Sequence, residues 1–349
     1  MSQTQEANVS QGNVTLGLSA TLLSVADSTP KVLTITPPAH ALSGSRHGAD
    51  SPSLPFGPFN PEKDPTLDKG LRRWIGEQTG LEPRYVEQLY TFGNRFRDPQ
   101  ELKGGTRVVS VGYLGLLTEQ LAEGSNQPQW RPVYDFLPWE DNRKTDGNKN
   151  YIWHLAKSLK AWALQSKDPA LIDERMHRIR LNFGTDGVPF DSERVLERYQ
   201  TLYEAGMVTE SVRDFRVLSG KTENLPMDTT FATAPDEAYT GKPMVLDHRR
   251  ILASALQRIR GKIKYRPIIF ELLPETFTLF HLQQVAEALA GQKLHKQNFR
   301  RLVLNEKLVE ETEKTHSEGR GRPAVLYKFR ENVRYERQKS GVGLPKSRA

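Results

Sequence analysis

The last quarter of the chain contains a capped helix, a tight turn, a second helix and a hairpin, in that order. Thr278 is a typical helix N-cap, and Gly291 allows the turn that would end the first helix. The apolar positions between them recur at helical spacing: Leu282, Val285, Ala286 and Leu289. A second helix is predicted over residues 295–305, and strands over 308–313 and 324–329 enclose the tip KTHSEGRGRP. Few folds have this order of elements, and it predicts a winged helix-turn-helix.

The second helix of this module is expected to have two different faces. Phe299, Leu302 and Val303 would face inward. The opposite face would present Lys296, Gln297, Arg300, Arg301 and Leu304. In a major groove arginine pairs with guanine and glutamine with adenine, and arginines at a wing tip contact phosphate or a narrow minor groove. The residues predicted to bind DNA are Thr278, Lys296, Gln297, Asn298, Arg300, Arg301, Arg320 and Arg322.

The distribution of charge favours a polyanionic partner for this module. The 349 residues include 49 Lys and Arg and 42 Asp and Glu, but from Arg249 onward there are 22 basic residues against 10 acidic ones. A basic segment behind a mildly acidic body is typical of nucleic-acid binding. The alternative is a solvated helix face and a plain basic loop, so charge alone does not decide between the two.

Composition excludes several classes of protein. The chain has no cysteine, which excludes disulfides, thiolate catalysis and cysteine-based metal sites. No apolar run approaches the roughly 18 residues of a membrane span. The polar leader over residues 1–12 lacks the apolar core of a secretory signal. We therefore expect a cytoplasmic protein with no membrane attachment.

The first third of the chain predicts a small sheet and one helix. Residues 14–25 and 31–36 are typical of strands joined by a turn, and 85–92 and 108–117 of two more strands. Residues 38–65 contain six prolines and three glycines and are expected to form a loop. Thr66 would cap the helix LDKGLRRWIGEQT, which would end at Gly80.

The middle of the chain is predicted to be mainly helical. Helices are expected over residues 151–164, 170–181, 192–205 and 249–263, with a surface connection over 218–243. His154 is expected to be packed or at the surface, and the dipeptide Asp247-His248 to be structural. No nucleophile stands at an interpretable spacing from this histidine, and the sequence contains neither a P-loop nor GxGxxG.

Three C-terminal stretches carry a resemblance to a known family. They are DHRRILASALQRIRGKIKYRPIIFELLPETFTLFHLQQV, GQKLHKQNFRRLVL and GRGRPAVLYKF. They strongly resemble the C-terminal half of Nudix-related transcriptional regulators, the NrtR-like and NadQ-like repressors of NAD metabolism. The upstream stretch LRRWIGEQTGLEPRYVEQLYTFGNRFRDP resembles the Nudix helix and following strand of the same family. The similarity covers about residues 13–120 and 240–335.

The resemblance implies an α+β chain with two domains. A Nudix-like α/β/α sandwich would occupy residues 13–265 and sense a ligand, and a winged helix-turn-helix would occupy 266–335. A basic tail would follow over 336–349. Residues 125–240 depart from the shorter members of the family and are expected to form a largely helical insertion.

The Nudix box of the hydrolases is incomplete in this chain. The pattern G-x5-E-x7-R-E-U-x-E-E-x-G-U, where U is bulky and apolar, can be aligned on Gly80 and Leu81. Arg73 and Glu77 are then kept. Trp74, Gln78 and Pro65 stand where three glutamates belong, and the nearest candidate for the opening glycine, Gly57, is two residues out of register.

One surviving carboxylate is a poor Mg²⁺ site, because the hydrolases hold the metal with several glutamates on one helix face. Arg73 and Glu77 are more simply interpreted as an i, i+4 pair within the helix. We therefore expect no metal, no catalytic residues and no hydrolysis.

A Nudix-like domain without its metal face is expected to keep a cleft for a nucleoside diphosphate. The resemblance implies an adenine-containing effector, NAD(H), ADP-ribose or ATP, and no resident cofactor. Spacing does not distinguish among the candidate ligand-binding residues, which are Arg46, His47, Arg73, Glu77, Tyr90, Phe92, Arg95, Arg97 and Arg107.

The resulting hypothesis is a homodimeric repressor of NAD biosynthesis genes. It would bind double-stranded operator DNA of partly palindromic sequence and respond to an adenine nucleotide. An active Nudix pyrophosphatase acting on ADP-ribose-like substrates is the first alternative, and a general nucleic-acid or RNA-binding protein is the second. The second alternative predicts similar affinity for any sequence with a strong salt dependence.

Overall fold

The computed structural model describes residues 14–37, 51–93, 101, 105–120, 122–143, 145–219, 237–263, 266–316 and 323–330. Its strands are β1 (Val14–Ala26), β2 (Thr29–Thr34), β3 (Phe56–Pro58), β4 (Tyr85–Phe92), β5 (Arg107–Leu116), β6 (Gln129–Pro132), β7 (Thr276–Phe277), β8 (Val309–His316) and β9 (Ala324–Phe329). Short 3-10 helices occupy Pro138–Glu140 and Pro267–Leu272.

The α-helices were predicted in part. They are α1 (Leu67–Thr79), α2 (Val133–Phe136), α3 (Thr145–Ala163), α4 (Pro169–Phe183), α5 (Val195–Glu204), α6 (Thr209–Ser219), α7 (Glu237–Thr240), α8 (His248–Ile263), α9 (Leu279–Ala290) and α10 (Lys296–Asn305). The sequence analysis did not predict α6. None of the helices in the described ranges is long and apolar enough to cross a membrane.

The larger sheet has the strand order β4-β5-β1-β2-β6, with the short β3 paired to β1. Strands β1 and β5 are parallel, from Val14 opposite Arg107 to Leu23 opposite Leu116. The predicted β1–β2 hairpin is confirmed. Asp27 and Ser28 have φ values of 49° and 58°, as a tight two-residue hairpin turn requires.

This sheet is covered on both faces, which confirms the predicted α/β/α arrangement. On one face Leu18 and Leu22 pack with Leu71 and Ile75 of α1. On the other face, the core continues from Leu23 and Leu114 into α8 and the helices beyond it. The α8 residues in this core are Ile251, Leu252, Ala253, Ala255, Leu256 and Ile259.

The segment predicted as an insertion contributes to this sheet. Residues 129–132 form the edge strand β6 beside β2, and Val133 and Phe136 of α2 are fully buried. The extra helices begin only at α3. The first residues of the predicted insertion therefore belong to the sheet and its edge. The limits of the two domains stay a prediction.

Part of the predicted surface connection over 218–243 is buried. Residues 220–236 lie outside the described ranges, but Thr240 and Gly241 are buried in the described part. Their carbonyls accept hydrogen bonds from the Nη1 of Arg249, at 2.6 and 3.2 Å. The expectation of a surface loop was wrong at this end because a buried guanidinium requires backbone acceptors around it.

The C-terminal module is a winged helix, as predicted. Helices α9 and α10 are joined through Gly291, which has a φ of 65°, and strands β7, β9 and β8 form a three-stranded antiparallel sheet. The two-residue strand β7 was not foreseen. Helix α9 also packs on β1, β2 and α8, so the module shares core with the rest of the chain.

Candidate DNA-binding surface and Nudix cleft

Helix α10 presents an exposed polar and basic face. It is held by Val303, which is 4% exposed, and by Phe299, which packs against the core one turn earlier. Four of the predicted DNA-binding residues of α10 are exposed to solvent: Lys296, Gln297, Asn298 and Arg301. The last three lie on the side away from Phe299 and Val303, whereas Lys296, the first residue of the helix, lies in line with that stripe. The helix contains no acidic residue, so this face has a single sign of charge.

Two predictions about α10 need correction. Leu302 was expected to face inward but is 58% exposed. The buried stripe runs through Phe299 and Val303 at i, i+4, and Leu302 lies about 100° away from it. Arg300 was expected on the opposite, outward face but is half-buried. Burial and the charge of Glu311 raise the pKa of Tyr327 on β9, and the nearby charge of Arg300 opposes this shift.

The turn between the two helices is fixed by Glu287. Its carboxylate accepts hydrogen bonds from the backbone N–H of Leu294 at 3.0 Å and from the Nε2 of Gln283 at 2.9 Å, and Lys293 lies 3.1 Å away. Burial would raise the pKa of Glu287, but these partners outweigh it and lower the pKa. Sequence reasoning missed Glu287, although a carboxylate among the apolar positions of α9 was a usable signal.

Thr278 performs the predicted capping role. Its hydroxyl oxygen accepts a hydrogen bond from the backbone N–H of His281 at 3.1 Å. Contact of Thr278 with DNA stays a prediction. So do the contacts of Arg320 and Arg322, which lie outside the described residues.

The stem of the wing is acidic on strand β8. Glu310, Glu311 and Glu313 are exposed there, and Glu310 is paired with Lys328 at 2.9 Å. Carboxylates repel phosphate, so this strand is a poor DNA-binding surface. The cationic face of α10 and the wing tip are the parts of the module suited to a polyanion.

The Nudix helix α1 begins at Thr66 and ends at Gly80 as predicted. Arg73 makes its main ion pair with Asp64, through Nε–Oδ1 and Nη2–Oδ2 distances of 2.8 and 2.9 Å, and lies 3.4 Å from Glu77. The predicted pair with Glu77 exists, but Asp64 holds the guanidinium. Sequence reasoning missed Asp64 because it stands outside the helix, nine residues before Arg73.

Asp64 makes part of the stability of the chain depend on pH. Hydrogen bonds from Arg73 and from the Asn60 amide lower the pKa of Asp64 to about 2, against burial, which would raise it. A carboxyl whose folded pKa is depressed contributes stability above its ordinary pKa of about 4 and loses it as pH falls toward the folded value.

We therefore expect the urea-midpoint difference between the wild type and Asp64→Asn to be constant above about pH 5 and to shrink between about pH 4 and 2. Arg73→Met is expected to show the same convergence. A midpoint difference that is independent of pH would contradict the assigned pair.

Trp74 and Gln78 occupy the helix face that binds metal in the hydrolases. The indole Nε1 of Trp74 donates to the carbonyl of Pro58 at 2.9 Å, and its ring covers Gly57 so closely that a Cβ there would lie 2.1 Å from Cε2. Gln78 is buried. Its amide accepts from the N–H of Phe56 at 3.0 Å and donates to the carbonyl of Phe56 at 2.8 Å. Both side chains therefore fasten β3 over this face.

Those predicted ligand residues that lie within the described ranges do not form one cluster. Arg73 and Glu77 belong to α1, on one side of the sheet. Phe92 is buried on the α8 side, where a bulge between Gln88 and Thr91 turns Leu89 and Phe92 to the same face. Of the remaining candidates, Arg46, His47, Arg95 and Arg97 lie outside the described residues.

Tyr90 and Arg107 are accessible. Tyr90 is 66% exposed and borders a hollow of about 520 Å³ together with Arg258 and Lys262 of α8. Arg107 is exposed and donates to the carbonyl of Gly93 at 2.8 Å. Ligand contact by any of these residues stays a prediction.

The histidines that the sequence analysis set aside are structural or peripheral. His248 is buried, and its Nδ1 accepts from the N–H of Leu54 and lies 3.1 Å from the hydroxyl of Ser53. His154 is half-buried and lies between the rings of Trp153 and Tyr239.

Comparison with known proteins identifies the C-terminal module. Residues 269–329 match the family model described as the NrtR DNA-binding winged helix domain. The ADPR responsive transcriptional repressor NtrR of Acinetobacter baylyi is 37% identical over 86 residues, which make up 25% of this chain and 34% of that protein. The chain thus matches about a third of the length of this curated relative.

Two crystal structures are similar over nearly the whole chain. NrtR of Shewanella oneidensis, in complex with a 27mer DNA, has a TM-score of 0.53 at 20% identity and covers 91% of this chain and 94% of that one. A MutT/nudix family protein from Enterococcus faecalis has a TM-score of 0.51 at 16% identity, with coverage of 93% and 90%. The family model confirms the predicted resemblance for the C-terminal module, which matches an NrtR-type winged helix domain. The fold of the chain as a whole is similar to those of NrtR and of a MutT/nudix family protein.

Proposed function

We propose that the chain is a transcriptional repressor that binds double-stranded DNA through α10 and the wing tip. The exposed basic face of α10, fixed from behind by Phe299 and Val303, carries this proposal. A helix of this kind can enter a major groove and place Gln297 and Arg301 against base edges. The protein would act in the cytoplasm as a homodimer, and two recognition helices one DNA turn apart would select a partly palindromic operator.

The Nudix-like domain would sense an adenine nucleotide of NAD metabolism. ADP-ribose is the first candidate, since the curated relative is named as ADPR responsive; NAD(H) and ATP are the others. An effector that prefers the conformation with weaker DNA binding by about 1–3 kcal/mol would lower DNA affinity roughly 5- to 150-fold. The regulated genes would be those of NAD biosynthesis.

The first test is a gel-shift titration on DNA from upstream of the source organism's NAD-biosynthesis genes, against a scrambled duplex. Each nucleotide would be added separately: ADP-ribose, NAD⁺, NADH and ATP. We expect specific binding that one of them changes. Equal binding to both duplexes, insensitive to every nucleotide, would instead support the general nucleic-acid-binding alternative.

A Nudix pyrophosphatase is the competing function, and the α1 face argues against it. The hydrolases place glutamates at positions that Trp74 and Gln78 occupy here, and both of these side chains are engaged with β3. Glu77 remains, at the end of an ion pair with Arg73. A single carboxylate on this face is a poor ligand set for Mg²⁺.

We expect no Mg²⁺-dependent release of AMP from ADP-ribose above the rate of a protein-free control. An intact ADP-ribose pyrophosphatase in the same assay would establish its sensitivity. Robust turnover that disappears in Glu77→Gln would overturn the proposal and make the chain an enzyme.

A further inference from the structure

Residues 134–143 connect three parts of the molecule that are far apart in sequence. The guanidinium of Arg143 donates to the carbonyl of Ser28 at the tip of the β1–β2 hairpin and is paired with Asp141 at 2.8 Å. The other contacts of this segment, which we call the junction, run to the helical segment α3–α5, to Lys242 and α8, and to the end of α9. The junction therefore lies between the sheet, the extra helices and the winged helix.

Glu140 is the centre of the junction. Its side chain is fully buried and receives two hydrogen bonds from Arg198 of α5, Nε–Oε1 at 2.6 Å and Nη2–Oε2 at 2.8 Å. Arg260 of α8 binds the same carboxylate through Nη1 and the Glu140 carbonyl through Nη2 at 2.9 Å. Burial would raise the pKa of Glu140, but the two guanidinium groups outweigh it and lower the pKa. One carboxylate thus joins the extra helices to α8.

The junction, together with Arg260 of α8, also binds the last turn of α9. Arg260 donates through Nε to the carbonyl of Leu289 at 2.9 Å, and the Tyr134 hydroxyl donates to the carbonyl of Ala288 at 2.6 Å. The backbone N–H of Asn142 donates to the carbonyl of Gly291 at 2.7 Å. The last carbonyls of a helix have no partners within the helix. Here Arg260, Tyr134 and Asn142 supply the hydrogen-bond donors for these carbonyls.

The packing at the end of α9 is tight. A Cβ on Gly291 would lie 2.1 Å from the carbonyl oxygen of Glu140. Three residues after this glycine, the backbone N–H of Leu294 donates to the carboxylate of Glu287. This bond fixes the turn just before α10 begins. The direction in which α10 points is therefore set at the junction.

We propose that Tyr134, Glu140 and Arg260 are positioning residues for DNA recognition, through which the extra helices hold the turn between α9 and α10 at the angle that specific binding needs. This inference rests on the proposed DNA-binding function. It gives the helical segment a role: Arg198 of α5 orients Glu140, Glu140 and Arg260 hold the end of α9, and α9 orients α10.

The chain offers a matched pair of variants to test this. Tyr134→Phe removes a hydroxyl that donates to the carbonyl of Ala288 at 2.6 Å and accepts a longer bond from Arg260 at 3.4 Å. Tyr203→Phe removes a hydroxyl that donates to Asp214 at 2.7 Å, and both tyrosines are half-buried. Only the first bond reaches the winged helix. Glu140→Gln is the stronger variant, since it keeps the shape of the side chain and removes the charge that both arginines share.

Two measurements on the full chain separate the inference from the function on which it rests. The first is hydrogen exchange of the backbone over residues 286–305. We expect Tyr134→Phe to accelerate it about fivefold, as loss of one hydrogen bond does, and Glu140→Gln to accelerate it more. Tyr203→Phe should leave it unchanged. Equal exchange in Tyr134→Phe and Tyr203→Phe would overturn the inference whether or not the chain binds DNA.

The second measurement is affinity for a duplex that the wild type selects from a random library, and for a scrambled duplex. We expect Tyr134→Phe and Glu140→Gln to weaken only the selected duplex, because the charge of the module is unchanged while its orientation is not. Equal loss on both duplexes would show a folding defect and overturn the inference. If the wild type selects no sequence, the proposed function fails, and the exchange measurement still decides whether the junction holds α10.

Discussion

Replacement of Arg249 by methionine is expected to lower the free energy of unfolding by about 3–5 kcal/mol. Arg249 is fully buried and forms an ion pair with Glu210 of α6, which is 1% exposed. Without the guanidinium, Glu210 keeps a hydrogen bond from the N–H of Met244 at 3.0 Å but no opposite charge at this contact. A buried carboxylate left unpaired is far more costly than the lost contact alone.

Lys160→Met is the matched control in urea unfolding of the full chain. Lys160 pairs with Asp186 at 2.8 Å, but both side chains are a third or more exposed, so the expected loss is about 0–1 kcal/mol. Adding Glu210→Gln to Arg249→Met should recover part of the lost stability, because the uncompensated charge disappears. Equal losses in Arg249→Met and Lys160→Met would contradict a buried ion pair.

Arg301→Ala is expected to weaken binding to the selected operator by about 1–3 kcal/mol, or roughly 5- to 150-fold, and to relax the choice of base at one position. Arg301 lies on the exposed face of α10, one turn after Gln297. Arg300→Ala should also weaken binding. Arg300 is half-buried and interacts electrostatically with Tyr327 of β9.

Fluorescence anisotropy with selected and scrambled duplexes measures this effect. Arg178→Ala is the control: it removes the same charge from α4, where Arg178 pairs with Glu204 at 2.5 Å, far along the chain from the winged helix. Binding of ADP-ribose should survive both changes. If Arg301→Ala and Arg178→Ala bind the operator equally well, α10 is not the recognition helix.

Elements with local signals could be predicted from the sequence. The caps at Thr66 and Thr278 and the stops at Gly80 and Gly291 depend on residues within one or two turns, and all four are confirmed. Strand β4 was predicted with its observed limits for the same reason, because its composition alone is typical of a strand.

Features that depend on distant partners could not be predicted. Strand β6 is four residues long and exists because β2 lies beside it, about 100 residues earlier in the chain. Glu210 of helix α6 is held by Arg249, 39 residues away. No window of sequence contains both members of such pairs.

In the candidate site, too, features with local signals could be predicted and features that depend on distant partners could not. The exposed face of α10 followed from the helical period, whereas the half-burial of Arg300 could not be predicted from that period. The absence of three glutamates of the Nudix box could be read directly from the sequence. That Asp64 holds Arg73, and that the junction holds α9, required the contacts themselves.

The amide of Gln78 behaves as an extra peptide group inserted beside β3, with one acceptor and one donor matched to Phe56. A glutamate at this position could still accept from the N–H of Phe56, but it would set a carboxylate against the carbonyl. A glutamate at position 74 would in turn remove the indole that covers Gly57. Each of these two glutamate substitutions is therefore expected to be destabilising by itself, and neither one alone would restore a metal site. Positions 74 and 78 of α1 thus serve the packing of β3, and the same two positions cannot at once supply glutamates to a metal.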